Sequence, residues 1–135
     1  CLAGGTASAA EQNAERVANI RANAASFGVD HRLAVHHGDT HYNTHTLMAG
    51  LPTPHAIFVG GGFDMALFTA LQSVAPTGCR LVVNAVTLET ESALLQLHAQ
   101  HGGALLRIEL AQAAPLGRMR GWQPSRAVVQ WSVTL

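Results

Sequence analysis

The chain has 135 residues, 48% hydrophobic and 12% charged, which excludes a disordered or fibrous protein and fits one folded domain. Eight arginines balance eight acidic residues, so the net charge favours neither a nucleic-acid nor a membrane partner. The two cysteines lack metal-ligand spacing, and we find neither a signal peptide nor an apolar run of membrane-spanning length. We therefore expect a cytoplasmic protein without a metal.

In the first half of the chain, the residue pattern predicts one helix between two short strands. Val17, Ile20, Ala24 and Phe27 recur at helical spacing in a segment that Asn13 can cap and Gly28 can end, which predicts a helix over 13–27. A short strand ends at Glu11 before this helix, and Arg32 to His37 forms the next strand.

The second half continues the alternation and then changes character. The pattern predicts strands over 56–59 and 81–83, each followed by a helix, over 64–74 and 88–101. Two late strands, 104–110 and 127–133, have no helix-length segment between them. We expect one Rossmann-like α/β domain, with a doubly wound, mostly parallel sheet, helices on both faces and a final antiparallel hairpin.

Polar and glycine-rich segments follow several predicted strands, where ligands bind in an open parallel sheet. Glu11 could hold the hydroxyls of a ribose, or it could be a solvated charge near a helix start. The glycines in 38–40 and 59–62 allow a ligand to approach the backbone but also serve ordinary turns. In the segment 84–90, Thr87 could cap a helix and Glu89 could decorate its first turn.

The histidines and the arginines near the C-terminus give weaker evidence of a functional site. His37, His41 and His45 are spaced by four residues, but Gly38 and Asp39 interrupt any helix through them, so no metal site is expected. No acidic residue follows Glu109, whereas three arginines do. This basic end fits an anionic small molecule, although exposed arginines also serve solubility.

Taken together, several motifs occur in a recognisable order. The segments are 11–13 (EQN), 38–40 (GDT), 59–62 (VGGG), 76–78 (PTG), 82–91 (VVNAVTLETE), 97–103 (LHAQHGG), 115–122 (PLGRMRGW) and 130–132 (QWS). The chain resembles the decarboxylating precorrin methyltransferases of cobalamin synthesis, a family of class I S-adenosylmethionine-dependent enzymes. Segments 84–91 and 117–122 are the most specific to that family.

The resemblance implies methyl transfer from S-adenosylmethionine to C-15 of a precorrin, with decarboxylation of the C-12 acetate. It also implies homo-oligomers and, in longer members, an N-terminal domain that methylates C-5. By position, the cofactor would contact Glu11, Gln12, Gly38, Asp39, Thr40, Val59, Gly60 and Gly61; the substrate would contact Asn84, Arg118, Arg120 and Trp122; and Asn84, Thr87 and Glu89 would be the catalytic candidates.

One departure from the family pattern leaves alternatives open. The family's first strand and glycine-rich loop are missing before Cys1, and residues 1–5 resemble the tail of the helix that follows that loop. We therefore expect a methyltransferase domain over 1–135 that is truncated at its N-terminus and binds its cofactor weakly. A catalytically incompetent fragment or interaction module with the same fold is the alternative, and a flavodoxin-like binding domain would share the alternation.

Overall fold

A computed structural model of the chain describes residues 1–38 and 40–135, apart from the side chains of residues 40–43. The helices are α1 Ala14–Ser26, α2 Thr40–Ala49, α3 Met65–Val74 and α4 Leu88–His101. The strands are β1 Ala7–Glu11, β2 Leu33–His37, β3 Ala56–Val59, β4 Arg80–Ala85, β5 Ala104–Ile108, β6 Ala111–Leu116, β7 Met119–Pro124 and β8 Val128–Thr134. Strands and helices alternate as far as β5, which confirms the predicted α/β class. Crossing a membrane would take a longer and more apolar helix than any in the described part of the chain.

The chain divides into two compact units, Cys1–Pro52 and Thr53–Leu135. In the first unit β1 and β2 pair in parallel, and α1 packs against β2. The Asn13 side chain accepts a hydrogen bond from the Arg16 backbone N–H at 3.0 Å and so caps α1. Gly28, at φ +63°, follows the end of the helix. The predicted helix and its boundary residues are therefore confirmed.

Two details of the first unit differ from expectation. Val17 and Ala24 are buried along α1, but Phe27 is 66% exposed because the helix ends one residue before it. Residues 1–5 form a turn in which the Gly4 N–H donates to the Cys1 carbonyl at 3.0 Å, and not a helix. The resemblance of residues 1–5 to the tail of a longer helix stays a prediction, since these residues form one turn in this structure.

The second unit is built on a four-stranded sheet in the order β3-β4-β8-β5. β3 and β4 are parallel, and β8 runs antiparallel to both β4 and β5. Residues of α3 and α4 share one buried cluster with alternate residues of β4 and β8, and Trp131 of β8 is fully buried there. The cluster comprises Phe63, Leu67, Phe68, Leu71, Leu81, Val83, Ala85, Leu94, Leu97, Val129 and Trp131.

The predicted antiparallel ending is confirmed, but its connection is longer than a simple hairpin. β5 and β8 are the two late strands, and a separate two-stranded ribbon, β6-β7, lies between them in the chain. A two-residue turn at Gly117 and Arg118 joins the ribbon, since Leu116 pairs with Met119. Gly117 has φ +60° and Arg118 does not have a positive φ, the pattern of a type II′ turn. The sequence did not predict this ribbon, because Pro115 and Gly121 interrupt the strand pattern.

Candidate functional site

The carboxyl ends of β1 and β2 lie side by side in the first unit. Glu11 pairs with His37 in the strand register, and the Gly38 N–H donates to the Glu11 carbonyl at 3.1 Å. His37 Nε2 lies 3.0 Å from the Gln12 carbonyl oxygen. Because a carbonyl only accepts, Nε2 carries the proton in this contact. His37 therefore holds the segment after β1 against the end of β2.

The Glu11 carboxylate, at the end of β1, is oriented by residues at the start of α1. Its Oε1 accepts the Asn13 backbone N–H at 2.8 Å, and its Oε2 lies 3.8 Å from Arg16 Nη1. The side chain is 20% exposed, and a carboxylate has about four acceptor positions. One hydrogen bond and one longer ion pair leave acceptor positions on this carboxylate unused, and its ribose role stays a prediction.

Gly38 extends this edge without a structural need to be glycine. Its φ is not positive, and a Cβ built on it would meet nothing within 4 Å. Neither the backbone conformation at position 38 nor the packing of the described residues excludes a side chain there. A ligand that approaches the backbone closely would be a physical reason for glycine at this position. The neighbouring predicted contact Asp39 lies outside the described residues, as does the side chain of Thr40.

In the second unit, β3 ends with Val59 and is followed by Gly60 and Gly61. A Cβ on Gly60 would lie 3.0 Å from Cε1 of the Phe58 ring, so the ring occupies the space that a side chain would take. A Cβ on Gly61 would meet nothing within 4 Å, and its φ is not positive. The open space for a ligand thus lies at Gly61, whereas Gly60 accommodates Phe58, which is 63% exposed.

At the end of β4, the Asn84 side chain is half-buried and hydrogen-bonded across the sheet. Gln130 Nε2 of β8 donates to Asn84 Oδ1 at 2.9 Å, and the two residues are direct cross-strand partners. Thr87 caps α4, since its hydroxyl oxygen accepts the Thr90 N–H at 3.3 Å. Glu89 is exposed in the first turn of α4. Of the three catalytic candidates, Asn84 has the most defined environment and Thr87 has a helix-capping role.

The ribbon β6-β7 groups two of the predicted substrate residues. Arg120 and Trp122 alternate along β7 and so project from the same face, while Arg118 lies in the turn. Trp122 is 78% exposed, and neither arginine has an ion-pair partner among the described residues. Exposed guanidinium groups beside an exposed indole offer both carboxylate and aromatic contacts.

The structure gives no evidence of a metal site at the histidines spaced by four residues. His37 contacts the Gln12 carbonyl, and the His41 side chain lies outside the described residues. Within the part of the chain that the structure describes, no three His, Cys, Asp or Glu side chains come close enough to share an ion.

The sequence profile of a family described as "precorrin methyltransferase domain" matches residues 2–135. The chain belongs to this family. Precorrin-6Y C(5,15)-methyltransferase (decarboxylating) from a Sinorhizobium species is 45% identical over 126 residues, covering 92% of this chain and 29% of that protein. The precorrin methyltransferase domain described above thus spans less than a third of that curated relative.

Solved structures show the same relationship. The C-terminal domain of precorrin-6Y C5,15-methyltransferase from Rhodobacter capsulatus is 48% identical, with a TM-score of 0.91, covering all of this chain and 71% of that one. An S-adenosylmethionine-dependent O-methyltransferase from Thermotoga maritima matches with a TM-score of 0.61, covering 97% of this chain and 51% of that one. At 12% identity it shows the fold alone, and that fold is the predicted methyltransferase class.

The structure of this precorrin methyltransferase domain also identifies residues that sequence reasoning missed. His37 was considered only as a metal ligand, yet it joins the ends of β1 and β2. Phe58 was not singled out, although its ring fills the space above Gly60, and Gln130 was quoted only within the 130–132 motif, without its bond to Asn84. Phe58 is exposed, whereas its neighbours Ile57 and Val59 are half-buried. The sequence alone could not identify this phenylalanine as a surface residue, because the buried face of β3 was not known.

Proposed function

We propose that this chain is the S-adenosylmethionine-binding part of a decarboxylating methyltransferase that methylates C-15 of a precorrin and removes carbon dioxide from its C-12 acetate. The observation that carries the proposal is the family match over residues 2–135, together with glycines and an oriented carboxylate at the strand ends that other proteins of this fold use for ligands. The polypeptide spans less than a third of its curated relative, so the activity of a longer enzyme is part of the proposal.

In the first unit, Glu11 accepts hydrogen bonds from the ribose hydroxyls of the cofactor. The Asn13 N–H already holds one carboxylate oxygen, so the side chain is oriented before the ligand arrives and loses little conformational entropy on binding. Gln12, Gly38, Asp39 and Thr40 border the adenine side. In the second unit, Val59, Gly60 and Gly61 border the methionine side, where Gly61 leaves open space.

S-adenosylmethionine supplies an electrophilic methyl group when bound. With the cofactor held by residues such as Glu11 and Gly61, its methyl would pass to C-15 as the sulfur–carbon bond breaks, and S-adenosylhomocysteine would be released. In the second step the bond to the C-12 acetate carboxylate breaks, its electron pair enters the macrocycle, a proton is taken up and carbon dioxide departs. The role of this chain is to hold the two reactants in line and to exclude water, which can supply much of the rate.

The precorrin substrate carries carboxylates around its ring, and we assign their recognition to Arg118, Arg120 and Asn84, with ring contact by Trp122. Guanidinium groups bind carboxylates through paired hydrogen bonds. The exposed β6-β7 ribbon also carries Leu116 and Met119 at its turn, and an exposed apolar ribbon of this kind supports the homo-oligomer that the family resemblance implies.

The test is calorimetric titration of S-adenosylhomocysteine into the chain, followed by transfer of labelled methyl to the precorrin substrate, with the Rhodobacter capsulatus domain as the reference protein. Binding of S-adenosylhomocysteine and methyl transfer to C-15 would support the proposal. Binding without transfer would favour an incompetent module with the same fold. Absence of S-adenosylhomocysteine binding by the chain, with binding by the reference domain, would overturn the proposed cofactor role.

A further inference from the structure

A pair of hydrogen-bonded amides lies on two neighbouring strands of the second unit. Asn84 of β4 and Gln130 of β8 are cross-strand partners, and both are half-buried. Their neighbours along the strands, Val83 and Ala85 on β4 and Val129 and Trp131 on β8, point into the buried cluster with α3 and α4. Because side chains alternate along a strand, Asn84 and Gln130 lie on the opposite face of the sheet.

The hydrogen bond between these amides has a direction. Gln130 Nε2 donates to Asn84 Oδ1 at 2.9 Å, so the Asn84 oxygen is turned toward β8. In a planar amide the nitrogen lies on the other branch, and Asn84 Nδ2 therefore points away from β8. Among the described residues this Nδ2 has no hydrogen-bond partner. On the side away from β8 the pair thus presents the two N–H groups of Asn84 Nδ2, whereas its unbonded acceptor, Gln130 Oε1, lies on the other branch of the glutamine amide.

Beside Asn84, the nearest residues of the neighbouring strand offer an aromatic ring and no polar side chain. Val59, the last residue of β3, pairs with Val83 of β4, so Gly60 directly follows this pair on one side and Asn84 directly follows it on the other. Phe58 lies on the same face as Asn84, because it pairs with Val82, and its exposed ring covers Gly60. A donor group therefore adjoins an exposed aromatic ring at the carboxyl end of the sheet.

We propose that Gln130 is a positioning residue that fixes the polarity of the Asn84 amide, so that Asn84 Nδ2 donates to a carboxylate of the bound tetrapyrrole while Phe58 contacts its ring. This inference rests on the proposed function and adds two residues, Gln130 and Phe58, to the substrate site. A freely rotating asparagine would offer its oxygen half of the time, and that oxygen would repel a carboxylate. Orientation by Gln130 removes this unfavourable state before binding.

The experiment is a double-mutant cycle on binding of uroporphyrin, a tetrapyrrole with carboxylates around its rim, to the full chain, measured by quenching of tryptophan fluorescence. Asn84→Ala should weaken binding by roughly tenfold, the effect of losing a hydrogen bond to a charged group. Gln130→Met, which keeps the side-chain length, should weaken binding severalfold in the wild-type background and have no effect in the Asn84→Ala background. Affinity for S-adenosylhomocysteine should stay unchanged in all variants.

Polarity is tested by Asn84→Asp, which still accepts from Gln130 but replaces the outward donor with an oxygen. It should bind uroporphyrin more weakly than Asn84→Ala does. Gln96→Glu, on the exposed surface of α4, controls for the added charge and should bind like the wild type. Equal effects of Gln130→Met with and without Asn84, or wild-type binding by Asn84→Asp, would overturn the inference while leaving the proposed function intact. Failure of the wild-type chain to bind uroporphyrin at all would overturn both.

Discussion

The indole Nε1 of Trp131 donates a hydrogen bond to the carbonyl oxygen of Gly102 at 2.9 Å. Trp131 is fully buried in the centre of β8, and Gly102 ends α4, so one side chain joins the sheet to the last turn of the helix. The same carbonyl lies 3.1 Å from His98 Nδ1. The end of α4 is thereby bonded both to its own last turn and to β8. Gln130, one residue before Trp131 on that strand, pairs with Asn84.

Replacing Trp131 by Phe should destabilise the fold by about 2–4 kcal/mol, because it removes a buried hydrogen bond and leaves a cavity beside Phe68. Urea unfolding followed by far-ultraviolet circular dichroism measures this change. Trp122→Phe is the matched control, since Trp122 is largely exposed and its replacement should change stability by less than about 0.5 kcal/mol. Equal destabilisation by both variants would contradict the assigned role of Trp131.

Gly103 should tolerate no side chain. It has φ +84°, and a Cβ there would overlap the carbonyl oxygen of Ser132 on β8. Gly103→Ala should therefore cost at least about 3 kcal/mol, from left-handed strain and from displaced backbone. Gly28→Ala shares the positive φ but meets nothing within 4 Å, so it should cost only about 1–2 kcal/mol. Equal unfolding midpoints for Gly103→Ala and Gly28→Ala would show that the close approach of Gly103 to Ser132 has no effect on stability.

Glu11→Gln should weaken binding of S-adenosylhomocysteine by roughly tenfold, because an amide accepts hydroxyl hydrogen bonds less strongly than a carboxylate. Glu15→Gln is the control: it removes a charge from the exposed first turn of α1, close to Glu11 in the chain but outside the proposed ribose contact. The dissociation constant of S-adenosylhomocysteine, measured by calorimetry, should change in Glu11→Gln and stay unchanged in Glu15→Gln. If both variants lose affinity equally, the effect is the general charge at the helix start and not a ribose contact.

The two glycines after β3 should respond differently to alanine. Gly61→Ala places a methyl group in open space, so it should leave stability unchanged and weaken S-adenosylhomocysteine binding by about tenfold or more if the cofactor passes there. Gly60→Ala instead pushes on the Phe58 ring, which is exposed and able to move. It should reduce uroporphyrin binding with less effect on S-adenosylhomocysteine. The reverse pattern would reassign the two positions.

Burial raises the pKa of the Cys79 thiol, because the thiolate is disfavoured in an apolar environment. In the pH range between the ordinary thiol pKa of about 8.5 and the higher folded value, the unfolded chain has lost its proton and the folded chain retains it. The stability contributed by the protonated thiol is thus complete below that range and is lost as the pH rises through it. Unfolding free energies measured from pH 7 to 10 should fall more steeply for the wild type than for Cys79→Ala. Parallel slopes would refute this role.

Much of the fold could be predicted from sequence because its signals are local. The cap at Asn13, the stop at Gly28 and the helical spacing of Val17 and Ala24 all act within a few residues, and the structure has that helix. The β6-β7 ribbon escaped prediction because its stability depends on cross-strand pairing, which Pro115 and Gly121 obscure in the sequence.

For the site, the sequence by itself determined which strand ends carry the polar residues and glycines, and the family resemblance supplied the expected chemistry. Glu11 was named from that pattern, whereas Gly61 and Asn84 were singled out within their segments by the resemblance. Only the tertiary structure decided that His37 holds Gln12, that Phe58 fills the space above Gly60, and that Gln130 turns the Asn84 amide. The contacts of His37 with Gln12 and of Gln130 with Asn84 join segments 25 and 46 positions apart, and the contact of Phe58 with Gly60 depends on which face the ring occupies. Strand register and side-chain face, which decide such contacts, are set by the tertiary structure.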